Sequence, residues 1–251
     1  DRADLLIVLG DLLDYIDYYD PGGGVLGTIF GAARVEPLIQ LRTSGDFDAY
    51  HEYDRSLWAS LADPRGTLDE VVRGQYRQFV NVLGEHTLLT LGNVDVREAW
   101  EDVAPPHLRC LDGDVVEIGG RRLGFVGGGA VKDLPDGSPW RSFDRHPDVF
   151  ATQLGVLGPV DILCTHLPPD VEDLRFDTVA LRKEMYGPGM LSYVEAHAPP
   201  LALFGHVHHP RSTGIRIGST EFKNVGFFKR HPVATLVDLD TFSTTQEAER
   251  A

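Results

Sequence analysis

Five side chains able to bind a metal stand at the ends of apolar runs in this sequence. Asp11 follows DLLIVLG, Asn93 follows TLLTLG, His166 follows VDILCT, and His206 and His208 follow LALFG. A carboxylate, an amide oxygen and three imidazoles, with no thiolate required, suit Mn, Fe, Zn or a related divalent cation. The two oxygens of Asp11 allow it to bridge two ions. His206 and His208 are two apart, so in extended backbone both rings face the same side. Glycine precedes Asp11, Asn93 and His206, which permits sharp turns and close backbone approach. His209, next in the chain, is the side-chain candidate for moving a proton at such a site.

The runs that deliver these residues read as buried strands. They span residues 4–9, 87–91, 122–126, 160–164 and 201–204, with further strands at 214–217, 221–225 and 234–239. Stretches with helical potential, such as 68–83 and 178–196, lie between them, and the mixture argues for layered α/β packing. Residues 14–78 differ: Asp-Tyr repeats and a Gly-rich turn open the segment, and amphipathic stretches follow. It reads either as a largely helical insertion, a cap, or as ordinary outer-layer helices with long connections. Four strands thus release a candidate ligand at their carboxyl ends, the edge of an α/β sheet where ligands collect.

Bulk composition narrows the function. Acidic residues outnumber basic ones 38 to 23, for a formal charge of -15. Such a surface repels a phosphate backbone and disfavours nucleic acid as a partner. A small phosphorylated substrate, a nucleotide among the candidates, then needs local positive charge, which bound cations supply. No apolar run approaches the roughly 18 residues of a membrane span. Only two cysteines occur, Cys110 and Cys164, and free buried thiols in a reducing cytoplasm fit better than a disulfide. The Gly127–Gly129 run reads as a strand-end turn and lacks the Lys-Ser/Thr of a nucleotide-binding P-loop.

The series GDLLD, GNVD, THLPP and GHVHH resembles the calcineurin-like metallophosphoesterase superfamily in order and in strand context, over residues 4–210. The resemblance implies a four-layer αββα sandwich of mixed sheets in one metallophosphoesterase domain. It implies two divalent metal ions: Asp11 bridging, Asn93, His166 and His206 completing one shell, and His208 serving the other. Its chemistry would be hydrolysis of a phosphomonoester or phosphodiester by metal-activated hydroxide.

Two departures stand out. The family's D-x-H element is not found in the ten residues before Asp11, and Val94 stands where many relatives carry the His of GNH. Asp95 keeps the following acidic position and reads as a loop anchor, and Asp14 as loop support. The departures keep two further readings open. One is a catalytically impaired scaffold of the same fold, and the other is a nuclease.

Overall fold

The structure, a computed structural model, describes residues 4–133 and 139–248. Strand β1 (Leu6–Leu9) is followed by four helices, α1 (Gly24–Phe30), α2 (Ala32–Ser44), α3 (Phe47–Ala59) and α4 (Pro64–Val82). Local chemistry sets where the last two begin. Asp46 accepts from the Ala49 N–H, and Asp63 accepts from the Gly66 N–H just ahead of a first-turn proline. Each carboxylate satisfies an amide that has no helical partner, and proline there forfeits no hydrogen bond.

The chain then builds β2 (Thr87–Thr90), α5 (Arg97–Val103), β3 (Asp114–Ile118), β4 (Arg121–Val126), β5 (Gly129–Ala130) and β6 (Asp144–Arg145). Next come α6 (Pro147–Val156), β7 (Ile162–Thr165), α7 (Glu172–Arg175), β8 (Phe176–Asp177), β9 (Arg182–Lys183) and α8 (Met190–His197). The last strands are β10 (Leu201–Phe204), β11 (Gly214–Ile217), β12 (Thr220–Asn224), β13 (Val233–Val237) and β14 (Thr244–Ala248).

Six strands form one sheet in the order β11-β12-β10-β7-β4-β3. The inner four run parallel and the two edge strands antiparallel. β1 and β2 pair in parallel, and β13 and β14 pair antiparallel. Alternation along the strands sorts side chains between layers, because successive residues point to opposite faces. Leu123 and Phe125, Ile162 and Cys164, and Leu201 and Leu203 meet Leu9 between the two sheets, with Ile7 and Leu88 packed against them. Their neighbours Val126, Leu163, Ala202 and Phe204 face the other way, onto Phe150 and Leu154 of α6 and Met190 and Val194 of α8. On the outer side of β1 and β2, Leu89 and Leu91 pack with Trp58, Val72, Tyr76 and Trp100 from α3, α4 and α5. Three apolar interfaces separate four layers, helix–sheet–sheet–helix. This is the expected αββα arrangement.

The 14–78 segment is helical over most of its length, and the 68–83 expectation lies on α4. The 178–196 stretch departs from expectation. Its first part forms a turn and β9, which pairs with β8 just ahead of the stretch, and helix begins only at Met190. Asp177 accepts from the Val179 and Ala180 N–H groups, turning the chain before a helix can start. The Gly187-Pro188-Gly189 run then delays helix onset until Met190. Cys110 and Cys164 are both free and buried. Among the described residues, no helix is long and apolar enough to cross a membrane.

Candidate metal centre

Register brings the strand ends together. Val126 lies opposite Thr165 and Leu203 opposite Cys164, so His166 and Gly205 leave the large sheet at one edge. The His166 N–H donates to Val126 O at 3.1 Å, and the Gly205 N–H donates to His166 O at 3.0 Å. In the small sheet Leu9 lies opposite Thr90, which sets Asp11 beside Gly92 and Asn93. One contact crosses between the sheets, from His166 Nδ1 to Leu9 O at 2.7 Å.

Two glycines make this crossing possible. A Cβ on Gly10 would strike the Gly92 backbone and come within 2.7 Å of His166 Nδ1. One on Gly92 would strike Asp11 and come within 2.7 Å of His166 Cε1. Gly10 also has φ +91°. Asp11 (φ +55°) and His206 (φ +66°) adopt left-handed backbone without being glycine. Each such residue costs roughly 1–3 kcal/mol, and strain of this kind gathers where side chains must be aimed.

The aim is convergence. Ligand atoms of Asp11, His166 and His206 all lie within 4.8 Å of one another. His166 Nε2 is 3.4 Å from Asp11 Oδ1 and 3.0 Å from Asn93 Oδ1. The Leu9 carbonyl only accepts, so it takes the ring proton on Nδ1 and leaves Nε2 with a lone pair. That lone pair then faces two oxygens. The two ring nitrogens of His206 are buried without a hydrogen-bond partner among the described residues, and the His166 and His206 rings stand edge to face, centroids 5.1 Å apart.

Electrostatics follows from burial. Burial holds His166 below the usual imidazole range and His206 well below it, so both rings are neutral and able to coordinate. Burial also pushes Asp11 up to about 7, with the Val94 N–H opposing and the charge of Asp144 adding to the rise. Asp95 is raised to about 6, first by burial and then by the Asp11 charge. A carboxyl whose folded pKa exceeds its unfolded value of 3.8 binds its proton more tightly in the folded state. Its stabilising contribution is complete below 3.8 and is lost as pH rises toward 6–7. The neutral rings of His166 and His206, held low by burial, contribute with the opposite sign up to 6.5. What isolates the cation is therefore the gain in urea midpoint from Mn2+ over chelator-treated protein, which is expected to grow across that window. Saturating Mn2+ should hold the midpoint up at its alkaline end, because a cation binds only the deprotonated carboxylate. A gain from Mn2+ that shrank as pH rose through the same window would contradict the assignment.

The surrounding residues divide into anchors and rim. Asp95 is fully buried and accepts from the Leu12, Leu13 and Gly92 N–H groups and the Tyr76 hydroxyl, which makes it the anchor of both ligand-bearing loops. Asp14 forms an ion pair with Lys229, and its carbonyl accepts from the Val25 N–H. His208 lies outside the compact trio, its ring stacked on Phe227 with centroids 3.8 Å apart. The His209 N–H donates to Asp177 Oδ2, and its ring Nδ1 is 3.7 Å from the same carboxylate. The structure thus gathers Asp11, Asn93, His166 and His206 and sets His208 and His209 at the rim.

No family model and no curated protein matches this sequence. Solved structures do match in shape. One crystal structure covers 100% of this chain and 90% of its own, at TM-score 0.63 and 14% identity. Another, that of TT1561 from Thermus thermophilus, covers 71% of this chain and 80% of its own, at TM-score 0.55 and 16% identity. At such identities the likeness is one of fold. The chain shares their layered α/β architecture.

Two residues of this neighbourhood had no signal in the sequence. Tyr76 reaches the site from α4, donating to Asp95 and accepting from the Val96 N–H at 2.7 Å. Asp144, on β6, contributes charge to both Asp11 and His166. Helical periodicity explains Tyr76 as core. The Asp-x-His spacing of the SFDRH run around Asp144 is no guide, since it does not end an apolar strand and His146 turns away to cap α6, its Nδ1 accepting from the Asp148 N–H.

Proposed function

We propose that this chain is a metal-dependent hydrolase of a small phosphomonoester or phosphodiester, a nucleotide being one candidate. One observation carries the reading. The neutral His206 ring has both nitrogens buried with no hydrogen-bond partner among the described residues, and it stands in a cluster of lone pairs from Asp11, His166 and Asn93. Asp11 accepts one weak bond, from the Val94 N–H at 3.4 Å, and the remaining lone pairs of the cluster suit a cation, since they would otherwise stay desolvated and unpaired. The donor set, oxygen and imidazole without thiolate, fits Mn, Fe, Zn or a similar ion.

In this reading Asp11, Asn93, His166 and His206 would hold a divalent ion, and Asp11 with His208 would serve a second. Such ions, when bound, supply Lewis acidity toward phosphoryl oxygens and lower the pKa of an attacking water. The protein's own part is orientation. Leu9 O fixes the His166 tautomer, Asp95 fixes the loops of Asp11 and Asn93, and the positive centre draws an anion into an otherwise acidic protein. Val94 has no proton to give, so His209, oriented by Asp177, is assigned as the side chain that protonates the leaving oxygen. The two free buried thiols accord with a reducing cytoplasm.

The test is direct. Full-length chain loaded with Mn2+ is expected to hydrolyse a nitrophenyl phosphomonoester or phosphodiester, to lose that activity to a chelator, and to recover it on adding Mn2+ back. A protein that takes up no divalent ion would end this reading. Ion uptake with no turnover of either ester would favour the scaffold reading that Val94 raises. Strongly salt-dependent binding of DNA would favour the nuclease.

A further inference from the structure

Asp144 occupies a two-residue strand paired in parallel with β5, directly opposite Gly129. A Cβ on Gly129 would strike Asp144 Oδ1 and come within 2.8 Å of Asn93 Cβ. Only a glycine hydrogen therefore separates this carboxylate from the turn that carries Asn93. Its Oδ2 accepts from Ser142 Oγ at 2.6 Å. Its Oδ1 is buried and has no hydrogen-bond partner among the described residues. The adjacent cation does not bond it: the Arg145 guanidinium reaches Asp112, at 2.8 and 2.9 Å, and Gly127 O, and its buried Nε has no hydrogen-bond partner among the described residues, Asp144 included.

A buried carboxylate oxygen with neither donor nor bonded cation is costly. Asp144 shares that condition with the nearby trio, since His206 is likewise unpartnered and the charge of Asp144 is felt at Asp11. Two carboxylates that repel each other beside neutral imidazoles form an anionic pocket, and the cations near it, Arg145 and Arg182, are bonded to Asp112 and Glu184. A metal ion relieves both the repulsion and the missing partner.

We propose that Asp144 is an additional cation-binding carboxylate of this centre, entering from the Asn93 side. The proposal rests on the metal-centre reading above. Asp144 stands outside the compact trio, so it extends the donor set rather than duplicating a member of it.

The experiment is calorimetric titration of the metal-free full chain with Mn2+ alone, for wild type and Asp144→Asn, beside thermal melts of both metal-free proteins. The variant is expected to bind at least about tenfold more weakly, the scale for losing a group that supports a metal site. Its metal-free melting temperature is expected to stay level or rise, because a repelling charge has gone. A carboxylate that only braced its loop would do the opposite, lowering the metal-free melt and leaving affinity unchanged. Equal Mn2+ affinity and stoichiometry in variant and wild type would overturn the proposal and spare the metal centre. No Mn2+ uptake by wild type would overturn both. Should Asp144→Asn fail to fold, Ser142→Ala frees Oδ2 and keeps the charge. Altered Mn2+ affinity there supports the proposal, and unchanged affinity overturns it.

Discussion

Replacing His206 by alanine is expected to abolish tight cation uptake and to cut phosphoester turnover by roughly two to three orders of magnitude, with the fold intact. The size follows from the role: losing several kcal/mol of transition-state charge stabilisation costs about a factor of ten per 1.4 kcal/mol. The fold should survive because neither ring nitrogen has a hydrogen bond to lose among the described residues. Backbone geometry offers a second check. His206 sits at φ +66°, a region that alanine enters at a cost and glycine does not. His206→Gly should therefore be as inactive as His206→Ala yet more stable than it by about 1 kcal/mol. Metal content by mass spectrometry and urea midpoints decide the matter together. A His206→Ala protein with full occupancy and wild-type turnover would remove His206 from the centre.

Asp95→Ala is expected to unfold the protein or come close to it. The carboxylate accepts from three backbone N–H groups and one hydroxyl, the shortest contact being 2.7 Å from the Gly92 N–H. It is fully buried, so water cannot replace it. Each orphaned donor costs roughly 1–3 kcal/mol. Four of them approach the typical total stability of a domain, about 5–15 kcal/mol. Asp95→Asn keeps one carbonyl acceptor and removes the repulsion that Asp11 exerts on the native carboxyl, so it should fold and melt between the two. Near-ultraviolet circular dichroism and urea titration separate these outcomes. An alanine variant within about 1 kcal/mol of wild type would show that the loops of Asp11 and Asn93 are held by other means.

The eight strands legible in the sequence are those whose apolar runs end in turn residues. The bounds at Leu201–Phe204 and Gly214–Ile217 agree residue for residue with the expectation. β3, reading DVVEI, and β14, reading TTQEA, escaped notice because partly exposed, charge-bearing edge strands need little hydrophobicity. β5, β6, β8 and β9 are two residues each, too short for any period to show. The hairpin at residues 176–183 was hidden by side chains compatible with a helix, and it forms because the Asp177 carboxylate captures two backbone amides.

What the sequence determined by itself was which polar side chains follow the apolar strands and the sheet edge from which they leave. Both are local properties, encoded by alternation along a strand and by glycine at its end. Tertiary structure decided which donors face one another. It gathered Asn93 and the trio, set His208 against Phe227, seated Tyr76 under Asp95 and laid Asp144 over Gly129. Those placements depend on how two sheets and a set of helices settle against each other. Many weak contacts between residues far apart in the chain fix that packing, and no local pattern records their sum.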